Sequence, residues 1–455
     1  MQSIEKQEVR QEDLQVSITD NWTTGKRLYH AITPCLFAFL ITLGTSVPEP
    51  AIAIIMKEFC VGRLEATMSI TLYTIGLALG PLLFAPLSET YGRRWIYILA
   101  STSLLSFAAG AGAAQSFASY LICRFLSGML GSVGIAMGAG TVADVWPHGR
   151  GRASASLMFV LGPFLAPSLA PFIVAYFLEA FNNDWRWTQW FLLLVGFPIW
   201  ILILGMRETS TAKRSRDGPP RHLQRSLSLP LKMLCSDPII FALTLHTSFG
   251  YAMIFSFFSS FSYILTLDYA FHNPQSSLCL LSLAIGYFCA ILLFLMLEAV
   301  IRMRLKSCQQ RLSRPEDGLI PGIAGGVLLL AGETWYAFSA RRGASWAVFV
   351  AAGIPIGGGA FMLFLSAINY IMQVYDHRVV ASAIAANGAI RYSLGAICPL
   401  FTIQMYERLG AHWASGTFAL ISLLLLPLPW VLMQNGQRLR TRLPKRDMAT
   451  SDVET

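Results

Sequence analysis

Two apolar runs without a single charged residue, 66–87 and 95–114, are separated only by Ser88-Glu89-Thr90-Tyr91-Gly92-Arg93-Arg94. Each run is long enough to cross a hydrocarbon layer of about 30 Å as a helix, and within lipid a lone segment satisfies its backbone groups only by being helical. So short a connection forces the two helices to lie antiparallel and adjacent. Gly92 permits a tight turn, and the Arg93-Arg94 pair marks its face as cytoplasmic. Glu89 stands where a carboxylate caps the next helix or pairs with those guanidinia. A plain positive-inside anchor would explain the two arginines alone, but not an acid, a glycine and two bases at one helix junction.

The rest of the chain agrees with a membrane protein. With 55% of its 455 residues apolar and 13% charged, a soluble core would leave far too much apolar surface in water. The formal charge of +9 sits between apolar runs, which excludes a nucleic-acid patch and fits cytoplasmic loops. The eight cysteines are scattered singly, so no disulfide framework or CxxC metal site is expected. The seven histidines form no close pair, and no glycine loop is followed by Lys and Ser or Thr. Metal, nucleotide and other cofactors are therefore not expected, and neither is an enzyme.

Taken in order, residues 1–27 read as a cytoplasmic tail, and six apolar spans follow at 30–55, 66–87, 95–114, 118–143, 153–178 and 187–206. Residues 207–237 carry seven Lys or Arg around Gly218-Pro219-Pro220 and read as a cytoplasmic linker. Six further spans lie at 238–266, 277–300, 318–339, 344–372, 379–403 and 412–433, before a basic tail at 434–455. The predicted fold is an all-α membrane protein: six-helix bundles over 28–206 and 238–433, with both termini cytoplasmic. Arg150, Arg152, Arg302, Arg304, Lys306, Arg311 and Arg314 then fall on the cytoplasmic side, and only Arg341-Arg342 and the Lys57 to Arg63 region oppose the bias.

The halves read as parallel repeats. Span 4 carries Gly128, Gly131, Gly134, Gly138 and Gly140, and span 10 carries Gly353, Gly357, Gly358 and Gly359. Span 5 opens Ala153-Ser154-Ala155 and span 11 opens Ala381-Ser382-Ala383. Small residues let helices approach closely and rock, and two matched halves point to a transporter moving about a central site. Glycine content alone is equally explained by ordinary packing.

These stretches resemble the major facilitator superfamily, and within it the fungal drug:proton antiporter branch with twelve spanning helices. Leu87, Ser88, Gly92, Arg93 and Arg94 match that superfamily's motif A, with Ala85 for the usual Gly and Glu89 for the usual Asp. Arg124-Phe125-Leu126-Ser127-Gly128 through Asp144-Val145-Trp146-Pro147 is similar to motif B. Gly162-Pro163 and Ala166-Pro167 resemble the antiporter motif C, although Ala153, Ala166 and Ala170 stand where glycines are usual. Arg207-Glu208-Thr209, Ser366-Ala367-Ile368-Asn369-Tyr370 and Ala385-Ala386-Asn387 with Arg391 match further signatures of the fungal branch.

The resemblance implies an inner gate in which Glu89, Arg93 or Arg94, and Asp144 form a charge network. It also implies proton coupling through Arg124, which biases the charge of a nearby acid. The competing reading of Arg124 is an arginine snorkelling to the outer interface. Glu49, set between Pro48 and Pro50, is the rare acid in a span of the first half; proton carrier, cation site and solvated carboxylate at the outer mouth are all open to it. Asn369, Tyr370, Asn387, Arg391 and His246 are candidates to line a substrate cavity. The cluster Phe255, Phe257, Phe258, Phe261 and Tyr263 is more often packing than binding surface.

The expected function is proton-coupled efflux of amphipathic small molecules by alternating access. The alternatives are a polyamine or organic-cation exporter, a neutral-nutrient facilitator and a non-transporting sensor on the same fold. Expected partners are a small-molecule substrate, protons and the lipid bilayer, with no nucleic acid, and the chain is expected to be a monomer. The expected site is the plasma membrane, with the vacuolar membrane as alternative.

Overall fold

The structure is a computed structural model that describes residues 22–146, 150–209, 230, 232–307, 315–340, 345–375 and 377–442. Among them, eleven helical segments are long and apolar enough to cross a membrane. The last of these contains two crossings, because its helix His377–Leu425 is interrupted at Gly410, where φ is 76° and ψ is 158°. Twelve crossings result, as the sequence predicts.

In chain order, crossing 1 is Thr24–Ser46 continued by Ile52–Phe59, 2 is Arg63–Tyr91, 3 is Arg93–Gly112, and 4 is Phe117–Gly131 continued by Val133–Val145. Crossing 5 is Arg150–Ala180, 6 is Trp187–Leu204, 7 is Pro238–Tyr269 and 8 is Asn273–Cys279 with Leu281–Ser307. Crossing 9 is Ile320–Ser339 after a short 3-10 turn, and 10 is Trp346–Ala351 with Gly353–Val374. Crossing 11 is 377–409, and crossing 12 is 411–425 continued by Pro427–Arg442, which carries the helix past the expected end at 433.

The packing follows one pattern twice. Crossing 1 lies on 4 and 5 as 7 lies on 10 and 11, and crossing 4 receives 2 and 3 as 10 receives 8 and 9. Between the halves, 2 packs on 11 and 5 packs on 8, which are the same pair under exchange of the repeats. Each repeat has a glycine at its tightest seam. A Cβ at Gly76 would lie 2.6 Å from the Phe125 carbonyl oxygen, and one at Gly286 would lie 2.8 Å from the Gly358 nitrogen. Such backbone contact needs small residues, because lipid supplies no hydrophobic force to bring helices together.

The two ends of the linker act as helix caps. Gly92 adopts φ +86°, a conformation open to glycine, and so separates crossings 2 and 3 within one residue. The freed N–H groups at the start of crossing 3 go to Glu208: Arg93 N–H donates to Oε1 at 3.0 Å and Arg94 N–H to Oε2 at 3.2 Å. At the other end of the linker, Asp237 accepts from Ile239 N–H at 2.9 Å and Ile240 N–H at 3.4 Å. Its second oxygen accepts from the Tyr375 hydroxyl, just past crossing 10. Burial and then the neighbouring carboxylate raise Tyr375 above its usual range, so the hydroxyl keeps the proton it donates.

A carboxylate at a helix N-terminus contributes on the order of 1 kcal/mol through capping and the helix dipole. Glu208→Ala is therefore expected to lower the thermal midpoint of the purified chain by an amount equivalent to about 1 kcal/mol, with Glu208→Gln falling between. Unfolding followed by scanning fluorimetry in detergent checks this, and an unchanged midpoint for Glu208→Ala contradicts the capping role.

Candidate substrate and coupling sites

In the first half, the deciding local feature is proline. Pro48 has no N–H to offer the carbonyl of Gly44, four residues earlier, and Pro171 has none for the carbonyl of Pro167. Both freed oxygens find other donors. The Ser46 hydroxyl donates to the Pro167 carbonyl at 2.8 Å, joining crossing 1 to 5. Arg124 of crossing 4 donates from Nη2 to the Gly44 carbonyl at 2.7 Å and from Nε to the Ser69 carbonyl at 3.1 Å. Its guanidinium lies 4.2 Å from the ring centre of Tyr73, whose own hydroxyl donates to the Ile41 carbonyl at 2.7 Å.

Arg124 is completely buried and does not reach an interface. Its Nη1 has no hydrogen-bond partner, and no carboxylate pairs with it among the described residues. The motif C-like residues belong to the same seam: Gly162 approaches the Cys35 carbonyl of crossing 1 at a distance that would leave a Cβ 3.5 Å away. Pro163 and Pro167 lie inside the crossing 5 helix with Pro171, and Ala166 is fully buried.

Glu49 opens the 3-10 turn Glu49–Ala51 that breaks crossing 1, with Arg63 of crossing 2 and the Ser259 hydroxyl of crossing 7 acting on its carboxyl. It therefore stands where the halves meet. Nearby, Asn273 Nδ2 donates to the Pro50 carbonyl at 2.7 Å, and the Arg63 guanidinium lies over Tyr263 at 5.8 Å. Deeper in, Thr71 donates to the Ala396 carbonyl at 2.9 Å and Ser168 to the Tyr287 hydroxyl at 3.3 Å. These three bonds between the halves lie at mid-helix or toward the face opposite Gly92.

At mid-helix Phe164 of crossing 5 inserts among four rings of the second half, Tyr251, Tyr287, Phe361 and Phe364, with centroid distances between 5.2 and 5.9 Å. Two of these rings also hold Arg391: its guanidinium is 4.7 Å from Tyr251, 4.3 Å from Phe364 and 4.4 Å from Tyr392. Arg391 is 5% exposed, and its Nε and Nη1 have no hydrogen-bond partner. One turn away on the same helix, Asn387 Nδ2 donates to Thr247 Oγ1 at 2.8 Å and Thr244 Oγ1 at 3.4 Å.

Of the predicted cavity residues, Asn387 and Arg391 thus come together beside the interface between the halves. His246 lies instead in a cavity of about 10 Å³ with Leu243, Leu319, Gly322 and Ser366, lined by crossings 7, 9, 10 and 12. Tyr370 is packed in an apolar cluster with Met233, Ile239, Leu319 and Leu432, and Asn369 is half-buried beside it. Phe257, Phe261, Tyr336 and Phe349 form a stack within the second half, with centroid distances between 4.6 and 6.3 Å, so this part of the phenylalanine cluster packs its own bundle.

The side chains of Leu87, Ser88, Glu89 and Asp144 lie outside the described residues, so the predicted gate is visible only from its neighbours. Arg93 Nη1 donates to Thr141 Oγ1 at 3.2 Å, one turn before Asp144 on crossing 4, and Tyr97 shares that hydroxyl at 3.0 Å. Arg94 is exposed, over Trp95 at 6.0 Å.

One acid of the spanning helices is absent from the sequence expectations. Glu333 of crossing 9 is 4% exposed, and neither carboxyl oxygen has a hydrogen-bond partner. The signal was present, because Glu333 is the single charged residue between Asp317 and Arg341.

Comparison with known proteins now places the chain. Residues 35–313 match the family model described as Major Facilitator Superfamily. Polyamine transporter 4 of Saccharomyces cerevisiae is 29% identical over 92% of this chain and 70% of its own length. The MFS-type transporter traF of Penicillium crustosum is 32% identical over 92% and 89%. The multidrug transporter mdrA of Aspergillus fumigatus is 29% identical over 92% and 73%. Among solved structures, the human organic anion transporter MFSD10 superposes with a TM-score of 0.63 over 89% of this chain and 99% of its own, at 17% identity, a likeness of fold. With two six-helix repeats, a family model that matches more than half of the chain and relatives aligned along nearly all of it, the chain belongs to the major facilitator superfamily.

Proposed function

We propose that this chain is a proton-coupled exporter of amphipathic small molecules, held as a monomer in the plasma membrane with the Gly92 face and both termini in the cytoplasm. The observation that carries the substrate side is Arg391. A guanidinium boxed by Tyr251, Phe364 and Tyr392, with two nitrogens lacking acceptors, presents apolar ring surface and hydrogen-bond donors together beside the interface of the halves. A molecule with an apolar body and a polar acceptor is complementary to it. The names of the relatives, among them a multidrug transporter and a polyamine transporter, agree with transport of organic solutes. A polyamine carries several ammonium groups and little apolar surface, so it matches neither the rings nor the donors of this box.

The coupling side rests on Glu49 and Arg124. Crossing 1 is broken at Pro48 and Pro50, and the freed Gly44 carbonyl is bound by Arg124, so the bend that carries Glu49 is tied to crossing 4. Movement of Glu49 away from Ser259 when the halves part would be felt at Arg124 through the same main chain. At the Gly92 face, Glu89, Arg93 or Arg94, and Asp144 supply the opposite closure, with Arg93 already anchored to crossing 4 through Thr141. A proton moving inward supplies about 2.3 kcal/mol per 100 mV of membrane potential in addition to the pH term.

In a yeast strain lacking its own pumps, the chain is expected to lower the steady-state level of tetraphenylphosphonium or Nile red, and a protonophore should restore that level. Efflux that ignores both pH and protonophore would leave a facilitator. Glu49→Gln distinguishes the roles of the acid. Loss of tetraphenylphosphonium efflux alone assigns it to substrate charge, and loss of both assigns it to the proton. Unchanged transport of both removes it from the mechanism.

Arg391→Gln is expected to reduce efflux about tenfold, the equivalent of 1.4 kcal/mol, at normal surface abundance. Arg391→Lys should not rescue it, because an ammonium cannot present the planar, multi-donor face that three rings enclose. Full activity in Arg391→Lys would show that charge alone suffices.

A further inference from the structure

Within the second half, a cavity of about 20 Å³ is lined by crossings 7, 9, 10, 11 and 12. That is room for a single water. Its polar lining is hydroxyl and carboxyl: Ser256 and Ser260 of crossing 7, Tyr406 of crossing 11, Ser415 of crossing 12, and Glu333 with Tyr336 of crossing 9. The hydroxyls largely satisfy one another. Ser260 and Tyr336 are 3.1 Å apart, and Tyr406 and Ser415 are 2.8 Å apart. Glu333 is the exception, with both oxygens buried and without a partner.

The titratable groups facing Glu333 are Tyr336 on its own helix and Tyr406 on crossing 11. Crossing 7 contributes Ser256, Ser260 and Phe257, crossing 10 contributes Ile356, and crossing 12 contributes Ser415, Phe418 and, acting on the carboxyl itself, Ser422. No Lys, Arg, Asp or His lines the cavity. His412, at the start of crossing 12, is turned to the Ala337 carbonyl at 2.8 Å, one turn farther along crossing 9. An ionised carboxylate here has no cation and, near it, only the single hydroxyl of Ser422, a costly arrangement in a low-dielectric interior. A carboxylic acid can instead donate a hydrogen bond to a neighbouring hydroxyl or to a water entering the cavity.

We propose that Glu333 is a second proton-binding site of this transporter, loaded from the face opposite Gly92 and housed in the second half. The step is simple: the carboxylate takes a proton from water entering by the 11–12 connection, and returns it to water when the surrounding helices part. Its placement gives it leverage. Glu333 lies one turn from Tyr336, which stacks on Phe257 and Phe349 and bonds Ser260. Ser259, the next residue on crossing 7, faces Glu49 of the first half. The outer part of crossing 7 is therefore held between two carboxyls, one on each side. A neutral Glu333 lets the aromatic stack close around it, and a charged one draws water in and loosens the stack.

Two measurements on the purified full chain test this, alongside the proposed transport cycle but separable from it. Difference infrared spectroscopy between acid and alkaline pH should show a carboxylic acid C=O band that is lost in Glu333→Gln. This holds whether or not any substrate has been found, so it stands even if the export reading fails. An identical difference spectrum in Glu333→Gln overturns the proposal.

In proteoliposomes carrying a pH-sensitive dye, tetraphenylphosphonium movement by the unaltered chain should be accompanied by opposing proton movement. Glu333→Gln, a permanent mimic of the protonated acid, should lower protons moved per substrate to about half, the Glu49 site still carrying its own, while downhill tetraphenylphosphonium flux persists, which also shows that the variant is folded. Undiminished proton coupling in a variant that transports normally overturns the proposal, as does replacement of the proton requirement by sodium.

Discussion

In hydrocarbon every backbone carbonyl that loses its helical donor must find another, and this requirement shapes the first half of the molecule. Crossing 1 contains Pro48 and Pro50, and crossing 5 contains Pro163, Pro167 and Pro171. Each proline withdraws one N–H from the ladder. The Gly44 and Pro167 oxygens are met by Arg124 and Ser46, side chains from neighbouring crossings. Flexibility is thus placed at two chosen points, and the helices on either side are tied to those points by bonds that would be lost if the bends straightened. The positions of crossings 1, 4 and 5 depend on this exchange more than on any apolar contact, since lipid tails compete equally for apolar surface.

The same logic explains why Arg124 tolerates burial. A guanidinium in a spanning helix is costly unless its donors and charge are answered. Two carbonyl acceptors and the face of Tyr73 answer most of it. Arg391 of the second half is answered differently, by three aromatic faces, with no acceptor for Nε or Nη1. Cation–π contacts of this kind contribute on the order of 1 kcal/mol each, which holds the charge in place without consuming its N–H groups. One arginine is thereby structural as well as electrostatic, and the other keeps its donors available.

Much of this was legible in the sequence, for physical reasons. The twelve crossings follow from uncharged length, and the turn at Gly92 follows from a glycine flanked by bases between two such lengths. The break at Gly410 was legible as a connection, although the helix after it runs on to Arg442 because amphipathic turns continue past the apolar stretch. Asn387 and Arg391 were found because polar residues in a span stand out. His246 and Tyr370 stood out equally, yet face small or apolar surroundings inside the second bundle, since polarity tells which residue is unusual and not which way its helix turns. Glu208 was seen as part of a signature without its partners. A cap that reaches from crossing 6 to crossing 3 joins residues more than a hundred positions apart, and no local pattern reports it.

Crossing 7 draws these observations together. It is the most enclosed long helix of the second half, with the Asp237 cap at the Gly92 end, Tyr251 on Arg391 at mid-helix, and the serine pair 259–260 near the opposite face. Its contacts on one side belong to the first half through Phe164 and Glu49, and on the other to its own bundle through Tyr336 and Asn387. A helix gripped on both sides by groups whose charge can change is well suited to transmit between them, because a shift of its outer turns alters both neighbours at once while the cap holds its other end. Symmetry sharpens the point. Crossing 1, its counterpart in the first repeat, carries Pro48 and Pro50 at the corresponding depth where crossing 7 has no proline at all after Pro238. Of two equivalent helices, one is therefore interrupted by a 3-10 turn at this depth, and the other runs unbroken from Pro238 to Tyr269.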